Sequence, residues 1–509
     1  MDREALIANL RSGGIWDILI IGGGATGLGI AVEASSRGLK TVLIEQSDFC
    51  KGTSSKSTKL IHGGVRYLQQ GNLRLVSDAL NERGFLLRNA SHIVKPMRFL
   101  IPGFNTWQIL YYGTGLKMYD LLARDRGLEK SRYRSVQSFR QAIPTISTQG
   151  LRGGIQYCDA VFDDTKLGIS LARTASDLGA VLLNYVRLIS FKKLDGKIVG
   201  GIAADQLSQQ EFELQARVVI NATGPFSDFI RRLDEPILDR SISASRGSHI
   251  VVDRKFLPGN EALLVPKTED GRVLFAIPWQ GHVLCGTTDT AVQDVTLEPK
   301  PSTEDLDFML SHLGKFLTHS PQKTDILSAF AGFRPLVRKA GGLNTSGISR
   351  DHQVNSSKSG LVSIIGGKWT TYRKMAEDVV DFVGKKFGLN LRRSDTKRLP
   401  LFGSPNYTAR REANPFMIQR QPSEAGIEPL TDFSTDSTAD VIRAVREEWA
   451  CTVEDVMARR TRILFLDARK AIKASPTVAS VMAGELGKDR NWEKDQVQSF
   501  QRLAERYLP

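Results

Sequence analysis

The stretch Trp16–Gln46, WDILIIGGGATGLGIAVEASSRGLKTVLIEQ, decides the fold. Asp17 to Ile21 is a short apolar run rich in β-branched residues, Gly22 to Gly27 is a glycine turn, Leu28 to Arg37 is small and helix-compatible, and Thr41 to Ile44 reads as a second strand. The glycines follow the spacing Gly22-x-Gly24-x-x-Gly27, with Glu45 closing the next strand 18 residues after Gly27. Glycine permits the tight turn and lets a pyrophosphate approach the helix N-terminus, where backbone N–H groups and the helix dipole favour an anion. Glu45 is placed to accept hydrogen bonds from ribose hydroxyls. Strand, turn, helix and acid together predict a bound dinucleotide.

Two later turns extend the pattern. Asn221-Ala222-Thr223-Gly224 follows the apolar run Val218-Val219-Ile220, and Gly366-Gly367-Lys368 follows Leu361–Ile365. A nucleotide-binding fold built from three separated pieces of chain suits a flavin stretched through one domain more than a mobile nicotinamide. Between the pieces lie the alternating segments SHIVVD, RVLFAIPWQ and HVLCGTTD, which predict the antiparallel strands of a second, inserted domain. Leu75, Val76, Leu80 and Leu87 predict a helix between about 73 and 90.

The remainder of the chain changes texture. Pro405, Pro415, Pro422 and Pro429 fall in a stretch rich in Ser, Thr and Gln, so 396–438 reads as an irregular connector. Val441, Val445 and Trp449, then Val497, Phe500, Ala504 and Tyr507, recur at helical spacing. The expected organisation is therefore a two-part unit over 1–395, the connector, and a helical domain over 439–509.

With 509 residues, 41% hydrophobic and 24% charged, the chain has the composition of an ordinary globular protein. Cys50, Cys158, Cys285 and Cys451 are widely spaced, so neither a disulfide framework nor a metal site is indicated. MDREALIANLRSGG carries charges where a signal peptide needs its apolar run, and no run approaches about 18 apolar residues. The expected location is cytoplasmic, with a peripheral position on the cytoplasmic face of a membrane left open. The net charge of +14 is spread along the chain without a nucleic-acid motif, so nucleic acid is not an expected partner. One aromatic stretch, Trp107-QILYYGTGLKMYDLLA followed by Arg124 and Arg126, suits the interface of an anionic bilayer. Its other reading is that the aromatics cover a substrate pocket or the core. Length and motifs leave a homodimer open.

The stretches GGGATGLG, GTSSKSTKLIHGGVRYL, FDDTKL, NATGPFSD, RGSHIVV, FAIPW, GTTD, FRPLVR, SRDH and GGKWTTYRKMAE, with VREEWACTVEDVMARRTRILFLDAR near the end, resemble the FAD-dependent glycerol-3-phosphate dehydrogenases. The resemblance implies an α/β fold with a Rossmann-like FAD-binding domain of the glycine-oxidase/glutathione-reductase type, an interleaved antiparallel substrate domain and a C-terminal α-helical domain. It implies oxidation of sn-glycerol 3-phosphate to dihydroxyacetone phosphate, with electrons passed to a membrane quinone. A related oxidase that uses oxygen, an amine oxidase on the same fold, and a flavin-binding protein without turnover are the alternatives.

Matched residue by residue, the resemblance gives the substrate Arg66, Tyr67, Arg334, Arg350 and Lys368. Arginine suits a phosphate because its charged fork pairs with two oxygens at once. His249 is the candidate base, with Arg334 and Lys368 beside it in the catalytic set. FAD is assigned to Gly22, Gly24, Ala25, Thr26, Gly27, Glu45, Gln46, Thr53, Ser54, Ser55, Thr58, Lys59, Leu60, His62, Thr223, Gly224, Gly367, Lys368 and Thr370. Two departures stand out: Phe226 replaces the tryptophan frequent in this family after NATGP, and the proline-rich connector lacks a compact helical pattern.

Overall fold

The computed structural model describes residues 3–12, 14–64, 72–123, 128–266, 272–338, 352–408 and 428–509. Its centre is the strand Trp16–Ile21, which pairs in parallel with Thr41–Ile44 on one side and with Glu211–Asn221 on the other. Val181–Leu183 extends the sheet in parallel beyond Thr41–Ile44, and Val362–Gly366 does so beyond Glu211–Asn221. These strands are near-continuous apolar runs because parallel sheets are covered on both faces. His352–Ser356 closes one edge antiparallel. The first half of Glu211–Asn221 leaves the sheet to pair with Lys197–Asp205, which pairs with Val186–Leu194.

One face of this sheet is covered by the helices Ala25–Ser36, Asp164–Asp177 and Tyr372–Phe387. The first and last meet closely: a β-carbon at Gly29 would lie 2.7 Å from the Tyr372 ring. Ile18, Ile20, Leu28, Leu171 and Val379 fill the contact. The opposite face is closed by the 186–205 hairpin and the N-terminal helix Arg3–Ser12.

The second sheet is ten-stranded among the described residues. Its long central pair, Ile242–Asp253 with Ile326–Val337, is antiparallel. His282–Gly286 and Leu274–Trp279 continue it antiparallel, as expected. The join of Ala262–Val265 to Lys95–Pro102 is parallel, however, and the sheet also recruits Leu60–Ile61 and Gly154–Val161. The second unit thus draws on chain as early as Leu60, which short early strands without clear alternation do not advertise.

The helix expected near 73–90 spans Leu73–Asn89. The C-terminal helices Thr438–Glu447, Ala468–Leu486 and Arg490–Glu505 pack together and onto the second sheet through Val251, Trp279, Leu284 and Phe330. Of the stretch read as a connector, 409–427 lies outside the described residues; Thr396–Arg398 is a 3-10 turn, and Leu399 and Leu401 are buried in the core of the first unit. That stretch belongs by packing to what precedes it.

Candidate active site

The C-terminal ends of the parallel strands open into a cavity of about 610 Å³. Strand order explains its position, since ligands of open parallel sheets sit beyond the carboxyl ends of the strands. Ile21, Ile44, Ala222 and Ile364 contribute the strand ends, and the helix that begins at Ala25 points its N-terminus into the space. Gly22 has φ +109°, and a β-carbon there would lie 2.8 Å from the Ala222 carbonyl oxygen, so only glycine lets these strand ends converge.

Of the sequence candidates, Gly22, Gly24, Ala25, Thr26, Glu45, Gln46, Thr53, Ser54, Thr223, Gly224, Gly367 and Lys368 line the cavity. The Ser54 hydroxyl accepts from the Ala25 N–H at 2.9 Å, and the Ser54 carbonyl accepts from Trp369 Nε1 at 3.0 Å, which ties the Thr53–Ser55 turn to two of the glycine turns. Glu45 accepts from the Gly23 N–H at 2.7 Å and the Ser47 N–H at 3.0 Å. Burial raises its pKa, and those two N–H groups oppose the rise.

Gly27, Ser55, Thr58, Lys59, Leu60, His62 and Thr370 are not among the lining residues. Gly27 serves the turn itself, because a β-carbon there would meet the Gly22 carbonyl oxygen at 1.8 Å. Lys59 is fully buried and pairs with Asp164 at 2.5 Å. Burial and neighbouring Arg462 push its pKa down to about 7, against the pull of Asp164. Leu60 pairs in the second sheet with Val161. Ser55 Oγ bonds the Gly52 carbonyl at 3.2 Å, and Thr370 is buried in the turn Trp369–Thr371.

His249 and Arg334 occupy the central strand pair of the second sheet. The His249 imidazole is buried, stacks on Phe330 at 5.0 Å and 17°, and shares a 2.9 Å hydrogen bond between Nε2 and the Thr58 hydroxyl. Burial, then the charges of Lys59 and Arg334, holds its pKa well below the ordinary imidazole value, so the ring is neutral at pH 7. Arg334 donates to the Thr288 carbonyl at 3.0 Å and the Thr287 hydroxyl at 2.8 Å, and lies 3.3 Å from Asp289. Its guanidinium lies over Gly247, where a β-carbon would come within 2.4 Å. Neither side chain is in the cavity wall, but Pro335, next to Arg334, is. Arg66, Tyr67 and Arg350 lie outside the described residues.

Sequence reasoning missed the support beneath the HGG turn. Arg83, Tyr119 and Asp159 are all buried, and Arg83 Nη1 and the Tyr119 hydroxyl donate to the Asp159 carboxylate at 2.6 Å and 3.0 Å. The Gly63 N–H donates to the Tyr119 hydroxyl at 2.9 Å. No spacing signal links three residues so far apart in the chain.

The cavity fits an FAD molecule on its own features. Its volume falls in the usual range for cofactor sites, and its lining includes a helix N-terminus, the Glu45 carboxylate and the Gly366–Lys368 turn. Comparison with known proteins agrees. Residues 17–373 match the FAD dependent oxidoreductase family model, and residues 413–495 match the C-terminal domain of alpha-glycerophosphate oxidase. Mouse mitochondrial glycerol-3-phosphate dehydrogenase is 39% identical over 554 residues, covering 99% of this chain and 75% of the mouse protein. The chain belongs to the FAD-dependent glycerol-3-phosphate dehydrogenase family. The mitochondrial member from Schizosaccharomyces pombe is 37% identical across 96% of this chain and 87% of its own. Within the same family, the Bacillus halodurans glycerol-3-phosphate dehydrogenase, solved in complex with FAD, superposes with a TM-score of 0.77 at 28% identity, covering 100% of this chain and 98% of that one.

Proposed function

We propose that this chain oxidises sn-glycerol 3-phosphate to dihydroxyacetone phosphate with FAD, and that the electrons pass to a membrane quinone. The observation that carries this reading is a cavity lined by three glycine turns, a helix N-terminus and Glu45, with Pro335 in its wall on the strand that carries Arg334 and pairs with the strand of His249. Oxidation of a secondary alcohol needs a hydride acceptor, a base for the hydroxyl proton and, for this substrate, a grip on phosphate. FAD held by the three glycine turns and Glu45 would supply the hydride acceptor for the carbinol carbon. Arg334 and Lys368 hold the phosphate, as Arg66, Tyr67 and Arg350 do by family resemblance. With Nε2–H donated to Thr58, the Nδ1 lone pair of His249 takes the hydroxyl proton.

The membrane side of the proposal rests on the helix Thr106–Ala123. Leu116 and Tyr119 face the protein, whereas Trp107, Leu110, Tyr111, Met118 and Leu121 share the outward face, with Trp107 82% and Leu121 76% exposed. A surface helix normally turns its apolar stripe inward; this one is apolar on both sides, as suits a helix resting in a lipid interface. Among the described residues no helix is long and apolar enough to cross a membrane.

The test is anaerobic addition of sn-glycerol 3-phosphate to the FAD-loaded protein, with glycerol and an amino acid as controls. Bleaching of the flavin by the phosphate ester alone is expected, followed by faster reoxidation with a soluble quinone than with oxygen. No bleaching would overturn the reaction, and oxygen as the faster acceptor, with stoichiometric peroxide, would make the protein an oxidase.

A further inference from the structure

The segment Glu45–Ser55 forms one wall of the cofactor cavity, through Glu45, Gln46 and the run from Cys50 to Ser54. Four residues of this segment, Asp48, Phe49, Lys51 and Ser55, are held by the C-terminal part of the chain. Asp48 is fully buried, and its carboxylate accepts from Arg459 Nε at 2.5 Å and from Arg460 Nη1 and Nη2 at 2.7 and 3.0 Å. Phe49 takes the edge of the Trp449 ring at 5.6 Å and 78°. Phe49 in turn packs under the phosphate turn, since a β-carbon at Gly23 would come within 2.6 Å of its ring. Lys51 pairs with Glu454 at 2.8 Å, and Arg462 Nη2 donates to the Ser55 carbonyl at 3.0 Å.

The electrostatics are those of a built junction. Burial opposes ionisation of Asp48, but the guanidiniums of Arg460 and Arg459 outweigh it and hold the carboxyl at about 2. The Glu454 carboxyl is also held at about 2: burial opposes this, and Arg459 and Lys51 prevail. Taking several charges out of water costs several kcal/mol per ion, which pairing only roughly repays, so such a network argues for fixed geometry more than for stability. The arginines sit on a π turn, Asp455–Arg460, a distortion that recurs at functional positions.

We propose that the C-terminal helices clamp the cofactor-binding wall: Trp449, Arg459 and Arg460 are positioning residues that hold Glu45–Ser55 in the shape that retains FAD. This rests on the FAD reading above and assigns the C-terminal domain a role in cofactor retention. The C-terminal part also reaches Phe330, under His249, through Phe465, but Trp449, Arg459 and Arg460 bear on Phe49 and Asp48, so their loss acts on retention before it acts on chemistry.

The experiment dilutes FAD-loaded protein into FAD-free buffer and follows release by the rise in flavin fluorescence, beside the Tm of each apoprotein. Arg460→Ala is expected to release FAD about tenfold faster or more, as truncating one partner of a buried charge pair raises an off-rate. Arg460→Lys, which keeps the charge but loses the fork, should fall between it and wild type, and Glu454→Gln should accelerate release mildly. Arg446→Ala is the control, because the Arg446–Glu485 pair at 2.6 Å joins two C-terminal helices away from the wall. It should lower Tm and leave release unchanged. Release that simply tracks Tm across the series, Arg446→Ala included, overturns the clamp, as does wild-type release in Arg460→Lys and Glu454→Gln. These two variants decide the matter if Arg460→Ala does not fold. A wild-type chain that takes up no FAD would overturn the cofactor reading along with the clamp, whereas unchanged release in variants of a flavin-loaded protein overturns the clamp alone.

Discussion

Gly286 lies against His249 so closely that a β-carbon at 286 would fall 2.3 Å from the imidazole Cδ2. The two are register partners on adjacent strands, and the ring is wedged between this glycine and Phe330. Gly286→Ala must therefore move the imidazole. We expect kcat/KM to fall by about tenfold to a hundredfold, the usual result of an ångström-scale misplacement, with flavin content unchanged. Normal turnover in steady-state assays would remove His249 from proton transfer.

The pH profile offers a separate check. A base must be neutral to act, and burial, aided by Lys59 and Arg334, lowers the pKa of His249 well below 6.5. Its loss of activity on protonation should then appear only below the ordinary imidazole range, with kcat/KM flat around neutrality. An acid limb centred near 6.5 in the wild type, absent in His249→Gln, would show that the ring is better solvated than its setting requires.

Arg334→Ala should remove charge-assisted hydrogen bonds to the substrate phosphate, about 1.5–3 kcal/mol or roughly tenfold to more than a hundredfold in kcat/KM. The loss should shrink for glycerol, which has no phosphate to lose. Equal effects on both substrates would mean that Arg334 serves only to brace Thr287 and Asp289.

Two glycines of the same turn should respond differently. Gly27→Ala drives a β-carbon into the Gly22 carbonyl oxygen, a backbone clash that nothing nearby relieves, so little folded, flavin-containing protein is expected. At Gly24 the nearest atom is the Ser54 hydroxyl at 3.1 Å, a side-chain atom that need give only a few tenths of an ångström against its bond from the Ala25 N–H. Gly24→Ala should fold with near-normal Tm and bind FAD more weakly, measured by titration of the apoprotein.

The outward face of Thr106–Ala123 predicts lipid binding. Burying each large apolar side chain contributes about 1.5–3 kcal/mol, so Trp107→Ser with Leu121→Ser should weaken sedimentation with phosphatidylglycerol/phosphatidylcholine vesicles by tenfold or more. Turnover with a water-soluble acceptor should not change. Undiminished vesicle binding would place the membrane contact elsewhere.

The fold was legible where local chemistry dictates it. Gly22, Gly24, Gly27 and Glu45 announce a strand, a turn, a helix and a second strand, because each step needs a particular residue type at a particular distance. The site was legible only where a residue's type reveals its task. Lys59 reads as a cofactor ligand from its neighbours in sequence, yet it lies in a buried ion pair with Asp164, a partner 105 positions away. Asp48 and Arg460 are 412 positions apart, and nothing in either local stretch names the other. Periodicity marks Trp107–Leu121 as apolar but not which residues face out, since both sides of the helix are apolar; only its docking onto the protein through Leu116 and Tyr119 separates them.

The central sheet also sets the timetable of the protein's synthesis. Ile20 pairs with Ile220, and Ile220 pairs with Val362. At about 5–20 residues per second, the first strand leaves the ribosome roughly 15–70 s before the last of these strands exists. Through that interval the nascent chain carries an apolar strand with an unpaired edge and a phosphate turn with only part of its cavity. The protein is committed to a late, long-range closure, which exposes the growing chain for longer than a fold of local contacts would.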